Sequence, residues 1–263
     1  MHRRAGETHG GSVQMFASYA TVVGGFGRQN DRSATDQHGR PPAVGRENGN
    51  RMNVFGQALD YALNDGTRFR GALGTHLLLV AVALAIGIVV CIPLGVLTSR
   101  SRIAAVAIIN TFNTLRVVPS LAILFLALPY FGLGTTSALI ALTVLALPPI
   151  LINTDTAFRR IDPAIREAAR GMGMSSGQVL RQVEFPLALP VMLAGIRIAL
   201  TEVIASATLA AFIGAGGLDL YITLGFAQFE TPILLVGAIP VALLALIAEL
   251  GMSALQRAVQ PPR

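Results

Sequence analysis

Residues 77–97 run for 21 positions without a charged side chain. As a helix that stretch measures about 32 Å, against roughly 30 Å of hydrocarbon in a bilayer. One such run already limits the chain to folds that surround it with lipid or with more apolar protein, and the pattern recurs. Residues 103–128 form a second candidate span, interrupted by Asn110, Thr111, Asn113, Thr114, Arg116 and Pro119. Residues 137–152 form a third, 187–213 a fourth and 233–250 a fifth, with 214–231 read as a loop. The expected fold is all-α: a polytopic membrane protein of about five transmembrane helices.

Composition agrees and removes several kinds of chemistry. Charged residues make up 13% of the chain and apolar ones 53%, where soluble domains carry roughly 25% charge. Every one of the 20 basic residues is arginine. Without lysine there is no Schiff-base chemistry and no phosphate-binding loop of the G-x-x-x-x-G-K-[ST] kind, so any ATP must be bound by another chain. The single cysteine, Cys91, sits in an apolar run and reads as small hydrophobic filler. His2, His9, His38 and His76 are scattered, which leaves metal catalysis without support. The net charge of +6 is better explained by arginines flanking the spans on the inner side than by nucleic-acid binding.

Along the chain, residues 1–51 lack any sustained period and read as a disordered or non-native extension, with Met52 as the physiological start. Residues 52–76 read as an amphipathic lead-in, with Val54, Phe55, Ala58, Leu59 and Ala62 on one face. The transmembrane domain is expected over 77–258. Arginines at 100, 102, 159, 160, 166, 170, 181, 257 and 263 would all lie on the cytoplasmic side, with the N-terminus outside.

Between the third and fourth spans lies a polar segment, EAARGMGMSSGQVLRQVEFP, at 167–186. Asp162 and Pro163 are a helix start, Asp as the cap and Pro at the first helical position. Gly173 is placed to end that helix with a positive φ, and Ser175 with Gln178 makes a capping box that opens a second helix. Pro186 is expected to end the second helix and open the fourth span. Small side chains at Ala168 and Ala169 would let a helix backbone lie close in a partner's groove, with Glu167 free to pair there. A solvated interhelical loop could carry a lone Glu-Ala-Ala by chance.

The spacing is more than that tripeptide. Glu167-Ala168-Ala169, then Gly173, Val183 and Pro186, resembles the signature loop of ABC importer permeases. Arg116-Val-Val-Pro119-Ser-Leu-Ala122 resembles the broken second span of permeases for osmoprotectants such as glycine betaine, choline and carnitine. Residues 210–218 resemble their glycine-rich turn, with Asp219 standing where glycine is commoner. The resemblance covers about residues 55–258. It implies a cytoplasmic coupling-helix loop at 162–186 that docks an ATPase subunit, ATP bound by that partner and no cofactor on this chain. It also implies a second permease copy or paralogue, an extracytoplasmic substrate-binding protein, and residence in the bacterial plasma membrane. Importers for methionine and other small solutes share the architecture.

Charged groups inside spans are costly in hydrocarbon, so Arg116, Arg197, Glu202 and Glu249 should face protein or water. Arg197 and Glu249 are expected to be glue between helices. Pro119 should break the backbone near Val118, and broken backbone at membrane depth is tolerated where it lines a cavity. That makes Asn110, Asn113, Thr114, Pro119 and Ser120 the pathway candidates. With no Trp and four Tyr, an aromatic cage for a quaternary ammonium within this chain is not expected. The competing class is a secondary transporter using Glu202 and Glu249 as ion sites; a membrane enzyme lacks any nucleophile, base and orienting group in a usable pattern.

Overall fold

The computed structural model describes residues 53–259, and every regular element among them is helical. The 1–51 extension and the Met52 start lie outside the described residues. Nine helices of six residues or more follow in order: α1 (Asn53–Asn64), α2 (Gly66–Ser99), α3 (Arg102–Leu115), α4 (Ser120–Phe131), α5 (Thr135–Arg159), α6 (Pro163–Gly171), α7 (Ser176–Ala207), α8 (Asp219–Gln228) and α9 (Thr231–Val259). Four of them, α2, α5, α7 and α9, are long and apolar enough to cross a membrane, and the bent pair α3 and α4 brings the number of candidate spans to five.

Helix α5 is the centre. Over half of its apolar window, 56%, is buried, against 28% for α2 and 22% for α9. It packs against α2, α4 and α7, while α9 packs against α7, α8 and α1. The core they share includes Leu79, Leu124, Leu142, Ile150, Val203 and Ile213. The outward faces of α2 and α9 present Leu78, Val89, Leu243 and Ile247, the apolar surface a lipid environment accepts. Cys91 is fully buried in this core and donates its thiol proton to the Leu147 carbonyl at 3.4 Å.

Close packing of α5 on α7 depends on Gly195. A Cβ there would stand 2.5 Å from the Asn153 Cβ and 2.7 Å from the Pro149 carbonyl. Arg197 of α7 and Glu249 of α9 pair at 3.5 Å, the interhelical glue expected of them.

Several boundaries differ from the sequence reading. The first span begins at Gly66 instead of residue 77, because the polar residues of the lead-in extend the same helix beyond its apolar part. The third and fifth spans are longer too, reaching Arg159 and Val259. The expected loop at 214–231 contains α8, whose short apolar stretch was too brief to register as a span and too polar at its ends to register as a helix. It is buried through Tyr221 and Gly225, with the Tyr221 hydroxyl donating to Asp65 at 2.9 Å. Gly214, Gly216 and Gly217 take positive φ in the turn before it. Asp219 is the first residue of α8, so ordinary helical backbone suffices there and the commoner glycine is not required. Burial pushes its carboxyl up to about 7.

Candidate functional site

Two regions carry the polar chemistry. The first is the segment between α5 and α7. Asp162 caps α6, its side chain accepting from the Ala164 amide at 2.9 Å, with Pro163 in the first helical position. At the other end Gly173 has φ +85°, and its amide donates to Arg170 at 2.9 Å while the Met174 amide donates to Ala169 at 3.2 Å. That paired closure is a Schellman turn. Ser175 and Gln178 form the reciprocal capping box that starts α7.

Helix α7 then differs from expectation. Pro186 does not end a helix; the chain stays helical from Ser176 to Ala207, through a wide π turn at Val179–Glu184 closed by the Phe185 amide on the Leu180 carbonyl. A proline ring crowds the carbonyl four residues before it and supplies no N–H. Widening the turn just ahead of Pro186 accommodates both, so the polar segment from Ser176 onward and the span form one continuous helix.

Of the docking candidates, Glu167, Ala168, Gly173 and Pro186 are exposed and Val183 is half-buried. Ala169 is different. It is 2% exposed and faces inward, because α6 packs on the wide turn of α7, so only Ala168 of the alanine pair remains on the open side.

Sequence reasoning missed what anchors this segment. Glu184, 1% exposed, receives Arg100 from the end of α2 and Arg166 from α6. Arg100 contributes two hydrogen bonds, one of 3.0 Å to Oε1 and a shorter one to Oε2, and the Arg166 Nε donates to Oε1 at 2.5 Å. A second nitrogen of Arg166 donates to the Phe158 carbonyl of α5. Beside this, Arg159 pairs with Asp155 at 2.7 Å and donates to the Thr98 and Ser101 carbonyls. Charge-assisted forks of this kind are the strong hydrogen bonds of proteins. The available signal was a lone carboxylate between Val183 and Phe185, apolar neighbours that predict burial and therefore a cationic partner.

The second region is the elbow between α3 and α4. The chain bends there by 95°. Val117 and Val118 close a tight turn on Thr114 and Leu115, and Pro119 (φ −57°, ψ 137°) is the extended residue from which α4 starts. The backbone therefore breaks where Pro119 required. A cavity of about 330 Å³ opens between this elbow, α5 and α7, with Arg116, Pro119, Ser120, Val144, Glu202 and Ser206 in its wall. Of the five pathway candidates, Pro119 and Ser120 line this cavity, and Asn110, Asn113 and Thr114 lie outside its wall. Those three are exposed on α3, outside the cavity wall, and Thr114 turns its hydroxyl back to the Asn110 carbonyl at 2.9 Å.

Among the described residues, no three His, Cys, Asp or Glu side chains gather as a metal site would require.

Comparison with known proteins follows the same outline. The family described as "Binding-protein-dependent transport system inner membrane component" matches residues 87–261. The chain is 43% identical over 186 residues to the carnitine transport permease protein OpuCB of Listeria monocytogenes, covering 71% of this chain and 85% of that one. It is 37% identical over 205 residues to the glycine betaine/carnitine/choline transport system permease protein OpuCB of Bacillus subtilis, covering 78% and 94%. Among solved structures, an inward-facing form of the MetNI methionine ABC transporter superposes with a TM-score of 0.65 at 24% identity, over 75% of this chain and 99% of that one.

Proposed function

The chain belongs to the family of binding-protein-dependent transport system inner membrane components, and we propose that it is the permease subunit of an ATP-driven importer for osmoprotectants of the glycine betaine, choline and carnitine kind. It is a multi-pass protein of the bacterial inner membrane. The solute assignment is carried over from relatives named for carnitine, glycine betaine and choline transport.

The observation that carries the coupling role is the construction of α6. It stands proud with Glu167 and Ala168 exposed, while its base is tied to α2, α5 and α7 through Glu184, Arg100 and Arg166. A push on such a helix moves the spans with it. The pusher is a separate ATPase subunit, since this chain has no phosphate-binding lysine. An extracytoplasmic binding protein delivers the solute. A second copy of the chain, or a close paralogue, covers the exposed polar face of α3 with Asn110, Asn113 and Thr114. The work is done by conformational coupling, with no covalent step. A transporter driven by an ion gradient would use Glu202 and Glu249 as ion sites; Glu249 pairs with Arg197, which speaks against that role for it.

The test uses cells without their own osmoprotectant systems that express this chain with an ATPase and a binding protein. Labelled glycine betaine uptake should fall at least about tenfold in Gly173→Val, because a β-branched residue at φ +85° costs about 1–2 kcal/mol and distorts the turn that holds α6. The three subunits should still co-purify. Uptake that survives the substitution unchanged would remove the docking role.

A further inference from the structure

The buried and half-buried acidic side chains of the spans and of the docking segment almost all have their counter-charge in hand: Asp155 has Arg159, Glu184 has Arg100 and Arg166, and Glu249 has Arg197. Glu202 does not. It is half-buried in α7, and its side chain makes no hydrogen bond or ion pair with another described residue. Arg116, in the wall of the same cavity, makes no side-chain hydrogen bond or ion pair with another described residue either. An unclosed carboxylate at membrane depth is costly and is retained where it contacts water or a solute. Here an anion and a cation stand in the wall of one cavity without pairing.

We propose that the elbow cavity is a passage subsite for zwitterions carrying a quaternary ammonium and a carboxylate, with Arg116 receiving the carboxylate and Glu202 facing the ammonium. This rests on the importer reading above and deepens it. A guanidinium fork matches a carboxylate with two parallel hydrogen bonds. A quaternary ammonium has no N–H to donate, so it is balanced only by an aromatic face or by an opposite charge. No aromatic side chain lines this cavity, which leaves Glu202 as the recognising group. Ser120 and Ser206 add hydroxyls to the same wall. A volume of 330 Å³ sits at the small end of the roughly 300–1,000 Å³ typical of small-molecule sites. Two charges without a surrounding cage give brief, selective contact, as a passage requires: strong enough to enter, weak enough to leave.

The experiment reconstitutes the whole transporter, permease with ATPase and binding protein, in proteoliposomes. Glycine betaine is the zwitterion, and choline is the cation lacking a carboxylate. Arg116→Gln should lower the ratio of glycine betaine to choline uptake about tenfold, the loss of one charged hydrogen-bonded contact. Glu202→Gln should lower uptake of both solutes, and Glu202→Asp should restore most of it. If Arg116→Gln fails to assemble, Arg116→Lys keeps the charge without the fork and should still shift the ratio in the same direction. Equal loss of both solutes in the Arg116 variants, or no change in the ratio, overturns the subsite while leaving the importer intact. A wild-type complex that assembles and hydrolyses ATP but imports neither solute overturns the osmoprotectant reading, and the subsite with it.

Discussion

The two polar regions of this permease solve opposite problems with the same residue types. In the segment between α5 and α7, one carboxylate is shared by two arginines from different helices, the starts of α6 and α7 carry side-chain caps, and the turn between them is closed by backbone hydrogen bonds. At the elbow, an arginine and a glutamate are left apart, α4 starts from Pro119 with no side-chain cap, and Val117 is 80% exposed. Saturated charges tie α2, α5, α6 and α7 together at that end. Unpaired charges in a cavity wall are the arrangement the passage subsite proposed above requires.

If that contrast is right, disturbing the closed end should unsettle the fold most. Glu184→Gln leaves Arg100 and Arg166 without their shared counter-ion. Removing one member of a buried pair costs roughly 3–5 kcal/mol, and because Arg100 is 41% exposed a loss of about 3 kcal/mol is expected. Thermal unfolding of the purified complex in detergent measures it, with Arg116→Gln as the contrasting variant that should leave the melting temperature nearly unchanged. Equal shifts in the two variants would erase the distinction between the regions.

The seam that joins the two ends should come next. In Gly195→Val the new side chain would meet Asn153 and the Pro149 carbonyl where α5 and α7 touch, an overpacking penalty of about 2 kcal/mol. If the proposed coupling runs through that seam, glycine betaine uptake per ATP hydrolysed should drop further than stability alone explains. Unchanged stoichiometry would show that the ends communicate by another route. The smallest effect belongs to Ser175→Ala. Losing the capping box costs about 1 kcal/mol, and amide hydrogen exchange should show faster opening confined to the first turn of α7.

Features governed by local rules were legible in the sequence. Asp162 with Pro163, the positive φ of Gly173, the Ser175 and Gln178 box, and the break before Pro119 each follow from what a few adjacent residues can do with their backbone donors. What depended on distant partners was not. Glu184 is anchored by Arg100, 84 positions earlier, and nothing local identifies the pair. The inward side of Ala169 is set by packing on α7, and α8 exists because it finds α9 to lie against. For Asn110, Asn113 and Thr114 the sequence shows a polar helix face, and the structure places that face in the open on α3, outside the elbow cavity. The continuity of α7 through Pro186 depended on a π turn, and a one-residue change of register leaves no mark in the pattern of apolar positions.

Cys91 has a practical consequence for all of these experiments. The one thiol in the chain is sealed at 0% exposure between α2 and α5, so the native protein is a silent background for maleimide dyes and spin labels. Cysteines introduced at Ala168 and Val117, both on open faces, would carry probes without first removing the natural one, and the distance between them would follow the docking helix and the elbow through a transport cycle in the otherwise unaltered sequence.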